Sequence, residues 1–248
     1  MKGFTMILAG ARTKEIEEYL EKRNTVLVPM GSIEQHGDAA PLGCDTIIPV
    51  RLCATVGMKT GTPYTPAITF GSSNHHMGFA GTISLRTSTL SNIIEDIAVA
   101  LYAHGFRKIL FINGHGGNRG PVLCGIKEAL LSCADADIRY LPYWDLPGAG
   151  ECEHKLFGDN NGSHVTASEV SLVWHLLGNK LPDFERKQFP PSPINGENLS
   201  AEEWKTRYPD GGAGGDLALV SLEKGKRYFE YLVESLSGLI GNIEKNDG

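Results

Sequence analysis

Three side chains in one short part of the chain have the chemistry of metal ligands. Glu34 and His36 lie on a loop, residues 31–37, that has glycine at both ends, and Asp45 follows shortly after it. Residues two apart in an extended loop project to the same side, so Glu34 and His36 can reach one centre. Carboxylate oxygens and imidazole nitrogens, without sulfur, suit Zn²⁺, Mn²⁺ or Fe²⁺. Asp45 stands at the start of a predicted helix, where it serves either as the N-cap or as a ligand.

His115 lies on a second glycine-rich loop, residues 113–118, with the sequence Asn-Gly-His-Gly-Gly-Asn. Each of the two loops follows an apolar, strand-like run, at residues 25–29 and 107–112. In open parallel sheets, ligands bind beyond the carboxyl ends of the strands. The sequence therefore predicts that His115 meets the first group of ligands at one edge of a sheet.

A third segment places His164 just before a predicted helix and Glu169 in its early turns. Both side chains can approach a site at the helix N-terminus, although the helix dipole alone also favours an acid there. Considered alone, Glu34 is equally consistent with a solvated loop acid, and His36 is equally consistent with a surface histidine. Together the residues predict a metal site, and the number of carboxylates indicates two ions that share a bridging acid. A pair of ions can hold a hydroxide and polarise a carbonyl.

The elements that must position these residues alternate between helix and strand. The apolar periodicity and the turn residues predict helices at 14–21, 46–58, 87–104, 119–132, 165–177 and 221–243, and strands at 25–29, 64–70, 82–86, 107–112 and 138–142. Residues 182–215 are rich in Pro and Gly and are predicted to form a long loop region. This alternation is typical of an α/β fold with a mainly parallel sheet covered on both faces. No linker or repeat divides the chain, which predicts a single domain over residues 1–248.

Composition excludes several classes of partner. The 248 residues carry a net charge of −6 and no long run of Lys or Arg, so nucleic acid is not expected. No apolar stretch approaches the roughly 20 residues that span a bilayer, so no membrane partner is expected. The five cysteines are an odd number and form no Cys-x-x-Cys pair. That pattern predicts free thiols and a cytoplasmic location.

Other motifs are weaker. Residues 114–120 lie where a dinucleotide-binding loop would, but their spacing is not G-x-G-x-x-G. The chain has no G-x-S-x-G elbow of the serine hydrolases. The pair His75-His76, on a loop at residues 71–81, is interpreted on its own as a hydrogen-bonded pair rather than a ligand set.

At these residues the sequence resembles the creatininase (creatinine amidohydrolase) family. The resemblance covers most of the chain in family order, at residues 29–37, 41–46, 78–85, 113–118, 164–171, 214–216 and 223–225. The combination of Glu-x-His-Gly with Asn-Gly-His-Gly-Gly-Asn is specific to that family. It implies a three-layer α/β/α fold and a site for two divalent metal ions, Zn²⁺ and/or Mn²⁺, with Fe²⁺ as a further option.

The resemblance also assigns roles to particular residues. The implied metal ligands are Glu34, His36, Asp45, His115 and Glu169, with Asp45 bridging. A hydroxide between the metals would attack an amide-type or ketone carbon, and the catalytic His164 would protonate the leaving group. The predicted substrate-binding residues are Ser73, His76, Gly116, Gly117 and Trp144, with core packing as the alternative for Trp144.

The chain departs from creatininase itself at several positions. Creatininase has a metal-binding Glu where this chain has Gly117, and Glu169 is the best replacement for that carboxylate. The usual His-Ala-Gly becomes His-Val-Thr at residues 164–166, and the usual Phe-Pro-Gly becomes Phe-Ala-Gly at 79–81. These changes argue against creatinine as the substrate but keep the metal set.

The predicted function is a metal-dependent amidohydrolase-type enzyme that acts on a small polar substrate. The expected reaction is hydrolysis of a non-peptide C–N bond, in a cyclic amide or a formamide, by attack of a metal-bridging hydroxide. The alternatives are C–C hydrolysis of a cyclic keto-sugar such as a keto-inositol, peptide trimming by the same site, and a non-catalytic metal-binding subunit. The resemblance further implies a homo-oligomer, commonly a hexamer.

Overall fold

The computed structural model describes residues 7–178, 180–192 and 199–245. Its sheet has three parallel strands in the order β1 (Thr25–Met30), β2 (Lys108–Asn113) and β3 (Asp137–Pro142). Met30, Asn113 and Pro142 are paired across the three strands, so the carboxyl ends of all three lie level at one edge. The loops that follow these strands therefore begin side by side.

Eight helices surround the sheet in the described part of the chain. They are α1 (Thr13–Leu20), α2 (Cys44–Thr60), α3 (Thr87–Ala103), α4 (Arg119–Ala129), α5 (Ala149–Phe157), α6 (Ala167–Leu176), α7 (Ala201–Arg207) and α8 (Leu222–Lys245). None of the helices described is long and apolar enough to cross a membrane.

Alternate strand residues face two separate hydrophobic cores. Leu27 and Leu110 belong to the core formed with α2, α5, α6 and α8. Val28 and Phe111 belong to the core formed with α1, α3 and α4. Because successive side chains of a strand point to opposite faces, apolar residues at every position require cover on both sides. The predicted three-layer α/β/α fold with a parallel sheet is confirmed.

Two predicted strands are absent as strands from the described residues. Residues 64–70 make only isolated bridges, Tyr64 to Leu27 of β1 and to Ile7, and Ile68 to Met30 of β1, because Pro63 and Pro66 have no N–H to continue a ladder. Residues 82–86 likewise make only single bridges. Both strand predictions were wrong: residues 64–70 lie along β1 without forming a ladder, and residues 82–86 bridge only to Ile33 and Gly71 in loops.

Two helices were not predicted. Helix α5 follows β3, and α7 lies inside residues 182–215, which were predicted to be loop; residues 193–198 of that range lie outside the described residues. A capping box starts α7: Ser200 N donates to Glu203 Oε2 (2.7 Å), and Glu203 N donates to Ser200 Oγ (3.2 Å). Trp204, in the middle of α7, is buried. The loop prediction was therefore wrong for α7, which packs against the site described next.

Candidate active site

The loop after β1 carries Glu34 and His36 into the protein interior, where each is 1% exposed. The Glu34 amide donates to the Leu42 carbonyl (2.9 Å), which fixes the loop against the start of α2. Gly31 makes this close approach possible, because a Cβ at that position would lie 2.3 Å from the Asp45 carbonyl oxygen. The glycine at the start of the loop therefore serves packing at the site.

Asp45 lies within the first turn of α2, and Gly43 is the N-cap of that helix. The predicted N-cap role of Asp45 was therefore wrong, since the helix begins one residue before it. Its buried carboxylate instead faces two imidazoles: Oδ1 lies 3.2 Å from His36 Nε2, and Oδ2 lies 3.2 Å from His115 Nδ1. Gly114 also passes close, because a Cβ there would lie 2.0 Å from the Asp45 carbonyl oxygen.

The two loops and α2 thus bring four candidate ligands together. Glu34 Oε2 lies 3.1 Å from His115 Nδ1. Three compact groups of potential ligand atoms occur among the described residues: Glu34 with Asp45 and His115, His36 with Asp45 and Cys44, and Glu34 with His36 and His164. Glu34, His36 and Asp45 each belong to two of these groups.

Electrostatic coupling within the cluster is strong. Burial opposes protonation of His36, but the combined pull of Asp45, Glu169 and Glu34 outweighs burial and raises the pKa of His36 to about 10. In the same way, Glu34 and Asp45 outweigh the burial of His115 and raise its pKa. Burial raises the pKa of the Cys44 thiol well above its ordinary value.

The residues present fit a divalent cation. In the described chain, His36 Nε2 and Asp45 Oδ2 are buried and have no hydrogen-bond partner. Their nearest polar contacts are the ion-pair distances of 3.2 Å to Asp45 Oδ1 and to His115 Nδ1, which lack hydrogen-bond geometry. Buried polar atoms held only in this way are costly, and metal coordination removes that cost. The surrounding set of carboxylates and imidazoles is the nitrogen and oxygen set that Zn²⁺ and Mn²⁺ accept.

Glu169 lies at the wall of the same cavity but has a second task. One of its carboxylate oxygens accepts the Thr166 amide, and its own amide donates to Thr166 Oγ1 (3.1 Å), a capping box at the start of α6. Burial raises the pKa of Glu169 to about 7, with Asp45 adding to the effect and His36 opposing it. None of the compact ligand groups found among the described residues contains Glu169. Its predicted ligand role stays a prediction.

His164 faces the cluster from the segment before α6. Its Nδ1 lies 3.6 Å from Glu34 Oε1. Its Nε2 lies 2.9 Å from Gln35 Nε2 and 3.0 Å from the Gln35 carbonyl oxygen, so it either accepts from the amide or donates to the carbonyl. The next residue, Val165, is buried and has a left-handed backbone with φ 56°. Such strain in a β-branched residue is retained where the surroundings impose it, and it sets the direction of His164.

The predicted substrate-binding residues divide into two sets. Gly116 and Trp144 line a cavity of about 280 Å³ in front of the candidate ligands. Ser73 and His76 lie behind the ligands: Ser73 Oγ donates to Glu34 and lies 3.1 Å from His115 Nε2, and His76 Nε2 lies 3.6 Å from Glu34 Oε1. The structure thus places these two beside the ligands and not in the lining of the cavity.

Gly117 is also outside the cavity lining, and its surroundings bear on the missing carboxylate. A Cβ at Gly117 would lie 2.4 Å from the Ser72 carbonyl oxygen and 2.6 Å from His115 Nε2. No side chain fits there unless the backbone moves. A ligand side chain at this loop position is therefore incompatible with this backbone.

Sequence reasoning missed the residues that support His164. Gln35 Nε2 lies within hydrogen-bond distance of His76 Nδ1 (3.0 Å) and the Gly211 carbonyl (3.1 Å), in addition to His164. The Trp204 ring packs at 4.6 Å from the His76 ring and 5.8 Å from the His164 ring. Gln35 stands inside the motif at residues 31–37, but nothing in the sequence around Trp204 indicated a place at the site.

A three-layer α/β/α fold that gathers carboxylates and imidazoles at the carboxyl ends of its strands defines the class: an α/β protein with a candidate metal centre. The family model described as Creatininase, creatinine amidohydrolase, matches residues 9–240. The chain therefore belongs to the creatininase family. This confirms the resemblance found in the sequence and, at the level of the family, the prediction of an amidohydrolase-type enzyme.

Relatives with different activities resemble the chain. Creatinine amidohydrolase of Pseudomonas putida is 27% identical over 243 residues, which are 92% of this chain and 93% of the relative. The mycofactocin precursor peptide peptidase of Mycolicibacterium smegmatis is 35% identical over 157 residues, 61% of this chain and 57% of the relative. The 3-dehydro-scyllo-inosose hydrolase of Thermotoga maritima is 34% identical over 104 residues, which are 42% of this chain and 33% of the relative. The matched region thus spans a third of the inosose hydrolase and 57% of the peptidase.

Solved structures agree with the fold over nearly the whole chain. A crystal structure of creatinine amidohydrolase superposes with a TM-score of 0.81 at 25% identity, covering 96% of this chain and 97% of that chain. A structure described as creatininase Mn superposes with a TM-score of 0.80 at 25% identity, covering 96% of this chain and 98% of that chain. A creatinine amidohydrolase from Bacteroides fragilis, described as unproven in function, gives 0.76 at 25% identity, covering 96% of each chain.

Proposed function

We propose that the chain is a metal-dependent hydrolase that cleaves a non-peptide C–N bond in a small polar substrate, a cyclic amide or a formamide. One observation carries the proposal: His36 Nε2 and Asp45 Oδ2, buried in a cluster of carboxylates and imidazoles, make no hydrogen bond in the described chain and only charge contacts of 3.2 Å. Membership of the creatininase family supports the reaction class. The cavity of about 280 Å³ suits a small substrate.

Glu34, His36, Asp45 and His115 would hold two divalent ions, with Asp45 between them and Glu169 as the fifth ligand. Zn²⁺ and Mn²⁺ are the proposed ions, with Fe²⁺ as a further option, because the ligand set contains both nitrogen and oxygen. When bound, such ions supply Lewis acidity toward a carbonyl and a nucleophilic hydroxide at neutral pH.

His164 would move the proton. It lies on the cavity wall with Nδ1 3.6 Å from Glu34 Oε1, so the nitrogen of a scissile amide bound in front of Glu34 comes within its reach. A proton that His164 takes up from the attacking water and passes to that nitrogen converts the nitrogen into a neutral amine leaving group. Gln35 holds the far side of the imidazole ring and keeps Nδ1 directed at the cavity.

The test is metal content followed by turnover. Protein purified without chelator is loaded with Zn²⁺ or Mn²⁺ and offered lactams, formamides and keto-inositols, with release of product measured by mass spectrometry. Glu34→Gln is expected to lose both metal and turnover, and His164→Ala is expected to keep metal and lose turnover. Turnover that survives complete removal of metal would refute the proposal.

Two other reactions compete at the same site, because relatives that carry these activities match part of the chain. Hydrolysis of a keto-inositol with no action on lactams or formamides would favour C–C cleavage. Release of residues from a peptide would favour trimming. Bound metal with no turnover across the whole panel would favour a non-catalytic metal-binding subunit.

The remaining predictions stay proposals. All five cysteines are unpaired, in keeping with the predicted cytoplasmic location. The single domain over residues 1–248 and the homo-oligomer, a hexamer by family resemblance, are tested by limited proteolysis and light scattering.

A further inference from the structure

The cavity contains an acidic side chain that the metal site does not use. Glu153, on α5, lines the cavity together with Glu34, Asp45 and Glu169. Its Oε1 accepts a hydrogen bond from Ser168 Oγ (2.7 Å). Ser168 is in turn held by Asn161, whose Nδ2 donates to Ser168 Oγ (3.0 Å). Glu153 is thus fixed in place by neutral groups.

The described lining of this cavity brings no lysine or arginine to Glu153. The two imidazoles in the lining, His115 and His164, both lie against Glu34. A half-buried carboxylate without a counter-charge is unfavourable, and such a group is retained most readily where a ligand supplies the charge.

Two aromatic rings stand in the same wall. Tyr143 and Trp144 line the cavity and pack against each other edge to face, with ring centroids 5.0 Å apart. The face of an aromatic ring attracts a cation, most strongly that of tryptophan. A carboxylate and aromatic rings that line one cavity supply the chemistry that recognises a protonated amine.

We propose that Glu153 and Trp144 form a subsite for a protonated primary amine at the end of the substrate away from the scissile bond. The substrate class is therefore an amide that also carries an ammonium group. This inference rests on the proposed function, because the subsite opens on the same cavity as the candidate metal ligands. It selects among the small amides that the metal site alone would accept.

A matched pair of formamides tests the subsite. N-formyl-1,4-diaminobutane carries an ammonium group where N-formylpentylamine carries a methyl group, and the two have nearly the same size. Hydrolysis adds one water to each C–N bond and releases formate and the amine. The native protein should show a kcat/KM at least about tenfold higher for the cationic member, the effect of one hydrogen bond to a charged group.

Glu153→Gln should abolish that preference, and Glu153→Asp should restore part of it. Glu151→Gln is the matched control, because Glu151 lies on the same helix and is exposed. It should leave the ratio of the two kcat/KM values unchanged. A ratio that stays the same in Glu153→Gln would overturn the proposal.

A binding measurement separates this inference from the proposed function. If neither formamide is hydrolysed, the formamidase reaction is wrong, and the subsite is then judged by titrating the zinc-loaded protein with pentylammonium and with pentanol, followed by NMR. Binding of pentylammonium in the native protein that weakens about tenfold in Glu153→Gln supports the subsite. Equal binding in the two proteins, or no preference for pentylammonium over pentanol, overturns it.

Discussion

Replacing Gly114 with alanine should displace Asp45 and impair the candidate metal centre without touching any ligand. Gly114 lies directly after β2, and its backbone passes the first turn of α2. A Cβ added there would lie 2.0 Å from the Asp45 carbonyl oxygen and 3.0 Å from Pro49 Cδ. Both neighbours belong to a helix, so the strain cannot be relieved by rotating a flexible side chain.

The size of the effect follows from that distance. An ordinary contact begins near 3.4 Å, so the two backbones must separate by about 1.4 Å. Asp45 lies 3.2 Å from both His36 and His115, and a shift of this size moves it out of register with the two imidazoles. A misplacement of about 1 Å costs roughly 10²-fold in rate. Loss of the support around a ligand costs about 10–100-fold in metal affinity.

The assay is competition for Zn²⁺ with a chromophoric chelator, with circular dichroism to confirm folding. Gly120→Ala is the matched control, because Gly120 lies six residues further along and an added Cβ there has no neighbour within 4 Å. Gly114→Ala should bind Zn²⁺ at least about tenfold more weakly, and Gly120→Ala should bind it normally. Native affinity in a folded Gly114→Ala protein would refute the role given to Asp45.

Four further predictions concern the residues around the centre. His164→Ala should retain metal and lose about 10²–10⁴-fold in kcat, and a full rate would show that it carries no proton. Trp204→Ala should also retain metal but lower kcat, because its ring packs on His164; an unchanged pH–rate profile and rate would remove it from the site. Glu169→Ala should lower the metal stoichiometry, and an unchanged stoichiometry would leave Glu169 as a helix cap alone. Burial raises the pKa of Glu153 in the folded protein. Ionisation of this carboxyl therefore costs stability as the pH rises above its pKa in the unfolded protein, which is near 4.5. Glu153→Gln should therefore resist urea better than the native protein at pH 7.5 and equally at pH 4, and equal stability at both would contradict the burial argument.

The residues with chemistry were accessible from the sequence because the chain places them at the ends of regular elements. Glu34 and His115 follow strands whose apolar runs are unmistakable, and parallel pairing then brings the two loops together. Hydrophobic periodicity decides such elements locally. The layers of the fold follow for the same reason, since strands without a polar face need helices on both sides.

The supporting side of the site could not be predicted in the same way. Trp204 lies 40 residues from His164 in the sequence and reaches it through α7, a helix of 7 residues. Its start signal, Ser200 with Glu203, was present but stood in a segment dominated by Pro and Gly. A helix this short is held by tertiary packing, and no local pattern states that packing.

Distances also determine which predicted residues face the substrate. Ser73 and Trp144 were equal candidates in the sequence, but Ser73 is 0% exposed and bonds to Glu34, whereas Trp144 lines the cavity. Gly116 and Gly117 cannot be told apart in the sequence. Only the structure shows that the nearby Ser72 carbonyl leaves no room for a side chain at Gly117. Such contacts join segments about 40 residues apart, so no local sequence pattern in either segment predicts them.

The central claim is that buried carboxylates and imidazoles from two loops and one helix hold a pair of divalent ions. Elemental analysis of protein purified without chelator, repeated after titration with Zn²⁺ and Mn²⁺, tests it most directly. We expect about two equivalents of metal per chain in the native protein and a clear loss in His115→Ala. Native protein that contains no divalent metal and takes up none on titration would contradict the account.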